Sequence, residues 1–121
     1  MKRYPCPCCG YRVFDGPPGT EGLCPICGWR DDLMHLRFPK FNGMPNGISL
    51  LDAQLNFELL GAKDADAVKS VRRPGPGDDR DPDWRAIDTD IDDIADLPLD
   101  FDGLAEPDDP TTLYYWLPQR D

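Results

Sequence analysis

Cys6-Pro7-Cys8-Cys9-Gly10 and Cys24-Pro25-Ile26-Cys27-Gly28 are one five-residue device, Cys-Pro-x-Cys-Gly, written twice, with fourteen residues between Cys9 and Cys24. Two residues between paired cysteines let a tight turn aim both thiols at one point. The proline presets φ for that turn, and the glycine lets the backbone pass close behind the second sulfur. Four thiolates so placed form a closed tetrahedral set, the donor pattern of structural zinc, with no position left for water. The sequence therefore predicts a metal site of Cys6, Cys9, Cys24 and Cys27, with zinc as the preferred ion. An iron site built from the same two knuckles is the competing expectation. The fifth cysteine, Cys8, sits inside the first knuckle at poor ligand spacing from Cys6. It reads as a small packing residue, with a reactive or redox-sensing thiol as the alternative.

Around these knuckles the chain is short and turn-rich. Its 121 residues include fourteen prolines and eleven glycines, which favours many short elements over long helices. Such a domain buries little apolar surface for its length, and small domains commonly offset that deficit with a metal or with disulfides. The odd cysteine count leaves a disulfide framework unbalanced. The basic start, Met1-Lys2-Arg3, leads into no apolar run of signal-peptide length, and no stretch is long enough to span a bilayer. A cytoplasmic location is expected, where thiols stay reduced and paired cysteines read as metal ligands.

Charge is distributed unevenly. Residues 1–61 carry six Lys/Arg against six Asp/Glu, whereas residues 62–121 carry seven against seventeen and hold the whole formal charge of −10. That surface repels phosphate backbones and argues against general nucleic-acid binding, so a basic protein is the natural partner.

Between the cysteine pairs, Tyr11-Arg12-Val13-Phe14 alternates like a short strand, and Asp15-Gly16-Pro17-Pro18-Gly19 reads as a tight loop. Asn42 to Gly47 is turn chemistry. A helix is expected from Ser49, its N-cap, to Leu60, with Asp52 in the first turn and Gly61 as the stop. Its apolar residues form two stripes, Leu51/Leu55/Leu59 and Leu50/Ala53/Phe57/Leu60, which predicts burial between two layers. A second helix is expected after Asp81-Pro82, with Trp84, Ile87, Ile91 and Ile94 on one side and Asp88, Asp90, Asp92 and Asp93 on the other. Thr111 to Leu117 reads as a strand. The fold class expected is small α+β: an N-terminal zinc ribbon over residues 1–40, then a buried helix and an acidic C-terminal extension over residues 41–121, packed with the ribbon as one domain.

At both knuckles and beyond, the sequence resembles the bacterial cysteine-rich family named for its Cys-Pro-Cys-Cys motif. The residues that carry the resemblance are Tyr4 to Tyr11, Cys24 to Trp29, Asn46-Gly47-Ile48-Ser49-Leu50, Ala53-Gln54 with Asn56-Phe57, and Thr112 to Trp116. The resemblance implies a bacterial protein with a metal ribbon and carries over no activity. Cys9-Gly10-Tyr11 is also similar to the first knuckle of rubredoxins.

No catalytic residue is assigned. His35, the single histidine, reads as a partly exposed structural residue, and Asp31-Asp32 as a solvated pair rather than an acid and base. The acidic series Asp88, Asp90, Asp92, Asp93, Asp96, Asp100 and Asp102 lacks the glycine and glutamate of a calcium-binding EF-hand loop. Trp84, Tyr114, Tyr115 and Trp116 read as core aromatics rather than a stacking platform for bases. The expectation is a non-enzymatic interaction module. A rubredoxin-like electron carrier and an enzyme or redox sensor using Cys8 stand as alternatives, and the oligomeric state is open.

Overall fold

The computed structural model describes residues 2–92, 94 and 108–117. Two short strands, β1 (Tyr4–Pro5) and β2 (Arg12–Phe14), pair antiparallel with Tyr4 opposite Phe14 and Pro5 opposite Arg12. Helix α1 spans Leu33–Arg37 and α2 spans Leu50–Leu60, with 3₁₀ turns at Asp66–Lys69 and Pro110–Leu113. The class is small α+β, with the cysteines clustered near the N-terminus. Among the described residues no helix is long and apolar enough to cross a membrane.

The strand expected at Tyr11–Phe14 forms as β2, and Tyr11 itself bridges to Arg80. Helix α2 forms with the caps its sequence specifies. The Ser49 hydroxyl accepts from the Asp52 N–H at 3.1 Å, and Gly61 turns into the left-handed region at φ 75° while its N–H returns to the Phe57 carbonyl. The expected burial of α2 on two sides does not hold. Leu50, Ala53 and Gln54 face the core, whereas Leu55 and Leu59 are 56% and 81% exposed. One stripe is enough to dock this helix because Gln54 fixes its rotation through hydrogen bonds on the buried side.

The second expected helix is absent: residues 82–92 are turns and irregular chain. The carboxylates explain why, since they capture the N–H groups a helix would give to its own carbonyls. Asp81 accepts from Asp83 N–H, Asp88 from Asp90 N–H, and Asp92 from Asp88 N–H. Short acidic side chains compete with helical hydrogen bonding in this way, and acids at the C-terminal end oppose the helix dipole. Ile91, expected on a buried stripe, is 70% exposed. Asp93, Asp96, Asp100 and Asp102 of the acidic series lie outside the described residues.

The C-terminal strand is also replaced. Asp109 caps a 3₁₀ turn by accepting from both the N–H and the hydroxyl of Thr111, and Pro110 starts the turn where no N–H is needed. Local capping outweighs the β propensity of the aromatics, which turn inward instead: Tyr114 and Trp116 are buried and stacked with centroids 4.5 Å apart. Together with Ile26, Trp29, Leu36, Leu50 and Ala53 they join all five cysteines in one core.

Candidate metal centre

The two knuckles have the same backbone plan. In the first, Cys6 N–H bonds to Tyr11 O at 2.9 Å and Gly10 N–H to Cys6 O at 2.7 Å; in the second, Cys24 N–H bonds to Trp29 O at 2.8 Å and Gly28 N–H to Cys24 O at 2.9 Å. Closing each turn requires φ of +83° at Gly10 and +87° at Gly28, a region that side chains disfavour. Neither glycine has room for a side chain either. A Cβ on Gly10 would stand 2.7 Å from the Trp84 ring, and one on Gly28 would stand 2.9 Å from the Ala67 methyl.

This construction brings the four expected sulfurs together. Cys6 and Cys27 Sγ are 3.6 Å apart, Cys9 and Cys24 Sγ are 3.8 Å apart, and all four lie within 4.8 Å of one another. A tetrahedron of sulfurs with metal–sulfur bonds of about 2.3 Å has edges of about 3.8 Å, so the donor set fits one tetrahedral ion. No cysteine is in a disulfide, and the four are 0–1% exposed. Left to themselves, four buried thiols are a poor place for negative charge. Burial pushes the Cys6 and Cys27 thiols well above the ordinary cysteine value. Cys24 is held low by hydrogen bonds from Cys27, Cys6 and Cys9, with the Cys27 N–H also directed at its sulfur. A cation at the centre would favour all four thiolates at once.

The shell behind the sulfurs comes largely from residues that the sequence reading passed over. Arg80 lies against the Tyr11 and Trp84 rings and donates Nε–H to the Cys9 carbonyl at 2.9 Å. Lys63 N–H does the same for the Cys27 carbonyl at 2.7 Å. The Pro7 carbonyl, inside the first knuckle, accepts from Gln54 Nε2 and Trp84 Nε1, both at 3.0 Å. Gln54 also donates to the Tyr115 hydroxyl at 2.7 Å and accepts from Ile87 N–H at 2.9 Å. Asn46 bonds both the N–H and the carbonyl of Arg30, tying the loop before α2 to the chain that leaves the second knuckle. A signal for Gln54 was available, because it is a polar residue interrupting the apolar face of Leu50, Ala53 and Phe57. Arg80 and Lys63 had none, since long-range contacts to backbone carbonyls leave no periodic pattern.

The other chemistry-bearing candidates are enclosed. Cys8 is fully buried beside the cluster with Cys27 as its thiol neighbour, and burial raises its pKa. His35, expected to be partly exposed, has no exposed surface at all; α1 carries it inward between Trp29 and Phe41, with ring centroids at 5.2 and 4.9 Å. Neither ring nitrogen has a hydrogen-bond partner, and burial lowers its pKa. The Asp31-Asp32 pair is not a solvated face. Asp31 is buried and accepts from the N–H and hydroxyl of Thr20 at 3.0 and 2.7 Å, while Asp32 caps α1 by accepting from His35 N–H. That cap is the signal for α1 that the sequence reading missed.

Arginines meet several of the described acids. Arg12 pairs with Asp79 and Asp81, Arg72 with Asp78, and Arg85 with Asp92. Asp66, Asp83, Asp88 and Asp90 remain exposed.

Two knuckles of one backbone plan, closing a buried four-cysteine cluster that could hold a metal ion, define a cysteine-rich class of protein. The model of the cysteine-rich CPCC family matches residues 4–78, and the chain belongs to that family. The match covers both knuckles, α1 and α2 and ends before the closing aromatic segment. No curated protein matches the chain.

Proposed function

We propose that this chain is a zinc-folded, non-enzymatic protein-interaction module of the bacterial cytoplasm whose partner is a basic protein. The observation that carries the reading is the enclosure of the cluster: four sulfurs suited to one tetrahedral ion, each buried, with no face left for a substrate or an exchangeable water. A catalytic metal needs an open position, and a site without one supplies folding energy instead. The remaining candidate side chains support the same reading, because Cys8, His35 and Asp31 are all spent on packing or on holding loops. In this reading Cys6, Cys9, Cys24 and Cys27 hold zinc, and the segments before and after residue 40 act as one unit through the core they share.

An acidic chain of net charge −10 attracts cationic surfaces over the ~8 Å screening length of physiological salt and repels nucleic acid. The test is elemental analysis with a visible spectrum on protein purified without added metal, combined with binding to a basic protein such as a histone over a salt series. One zinc per chain and salt-sensitive association are expected. One iron with thiolate charge-transfer bands would replace the reading with electron transfer. Association indifferent to salt would remove the basic partner.

A further inference from the structure

Helix α2 carries leucines at positions 51, 55 and 59, spaced four apart and so aligned along one side of the helix. Single exposed leucines are ordinary on a protein surface, but a row of them on one helix is a feature that needs a cause. Here the row faces away from the core. Leu51 is partly buried, and Leu55 and Leu59 are largely exposed, although the helix is otherwise well formed and capped at both ends. Its rotation is not free to bury them, because Gln54, about 100° around the helix from Leu55, is tied to Pro7, Tyr115 and Ile87.

Within α2 itself the residues flanking the stripe carry charge of one sign. At about 100° per residue, Asp52 lies about 60° to one side of Leu55 and Glu58 about 60° to the other. Both acids are exposed, and Leu50–Leu60 contains no lysine or arginine. A leucine row bordered by an acid on each side is complementary to an amphipathic helix with an apolar stripe bordered by lysines or arginines. A second copy of this chain fits poorly. Packing the stripe on itself would set acids of one copy against acids of the other along both rims with no cation on either helix, between two chains each of charge −10.

We infer that the Leu51/Leu55/Leu59 face of α2 is the docking surface and that its occupant is a basic amphipathic helix of the partner. The inference rests on the basic-partner reading above and adds the location, the secondary structure of the ligand and the side chains that recognise it. Apolar contact with the leucines provides most of the affinity, while Asp52 and Glu58 orient the ligand and speed its arrival.

The probe is a fluorescein-labelled peptide of leucine and lysine, about five helical turns long, with leucines on one stripe. A peptide of the same composition with the order scrambled has the same charge and no stripe. Binding to the metal-replete full-length chain is read by fluorescence anisotropy. The patterned peptide is expected to bind at least tenfold more tightly than the scrambled one. Leu55→Asp and Leu59→Asp should each abolish that difference, with circular dichroism and metal content unchanged because both side chains are exposed. Glu58→Lys should weaken binding severalfold and flatten its salt dependence. Equal binding of the two peptides, with no effect of Leu55→Asp, would overturn the helix-face inference while leaving the electrostatic reading standing. Failure of both peptides, together with failure of the basic protein, would remove that reading and this inference with it. Sedimentation that shows a dimer of wild-type chain, converted to monomer by Leu55→Asp, would assign the face to a second copy and overturn the proposal.

Discussion

Replacing Gln54 with leucine should cost this protein a large part of its stability without touching a cysteine. The side chain is nearly fully buried and makes three hydrogen bonds to segments far apart in sequence: Pro7, Ile87 and Tyr115. Not all three partners are stranded when it is removed. The Pro7 carbonyl keeps the Trp84 indole, and the Tyr115 hydroxyl keeps the Arg85 carbonyl to which it donates. The Ile87 N–H is left with no partner in this arrangement. Two bonds lost with partners still satisfied cost about 1 kcal/mol each, and an orphaned, partly buried N–H adds about 1–2 kcal/mol. The total is about 3–4 kcal/mol, set against a typical domain stability of about 5–15 kcal/mol. Urea unfolding of the metal-loaded protein, followed by tryptophan fluorescence, measures it. The sharper check is a double-mutant cycle with Trp84→Phe, since Gln54 and Trp84 share the Pro7 carbonyl. The two losses should be non-additive by at least about 0.5 kcal/mol. A Gln54→Leu loss below 1 kcal/mol, or strict additivity with Trp84→Phe, would refute the idea that this glutamine locks the first knuckle.

Chelation, or Cys24→Ser, should unfold the knuckles and the core built on them, since structural zinc in small domains supplies roughly 10–16 kcal/mol; loss of dispersed amide resonances on adding a strong chelator checks it. Gly28→Ala should destabilise by about 1–3 kcal/mol through its positive φ and the crowding against Ala67, whereas Gly61→Ala, with the same sign of φ and open space around it, should cost less; thermal melts compare the pair. His35 should make the fold acid-sensitive. Its pKa is depressed in the folded state, so the unfolded chain binds the extra proton, and stability is full above the ordinary value of about 6.5 and falls as pH drops below it, by at most about 1.4 kcal/mol per pH unit. Denaturation midpoints from pH 8 to pH 5 should show that slope in wild type and a shallower one in His35→Phe. Cys8 should resist iodoacetamide in the folded, metal-loaded protein and react on denaturation, as mass spectrometry would show.

What the sequence made legible was local and what it hid was long-range. Knuckle spacing and the Ser49 and Gly61 caps are encoded within a few residues, so β2, α2 and the meeting of four sulfurs could be anticipated. The chain after Asp81 defeated the periodicity argument because Asp81, Asp88 and Asp92 offered the backbone closer partners than helical carbonyls. The leucines of α2 misled differently. Both stripes are present, but only the polar contacts of Gln54 decide which one turns inward, and those depend on residues more than thirty positions away. His35 and Asp31 were placed at the surface by composition and are buried by tertiary contacts that composition cannot express.

The order in which this core is written along the chain has a consequence for its assembly during synthesis. The four sulfurs of the cluster come from segments no more than 21 positions apart, near the start of the chain, whereas the groups that cover them, from Leu50 and Gln54 to Tyr114 and Trp116, follow much later. A chain made from its N-terminus exposes both knuckles to the surrounding solution before any of that cover exists. Loading is then a matter of the free metal present at the ribosome, and unloading is a matter of how often the finished cover opens. The two rates are set by different parts of the molecule, so an ion trapped as the cover closes need not be the one that the four thiols would favour at equilibrium.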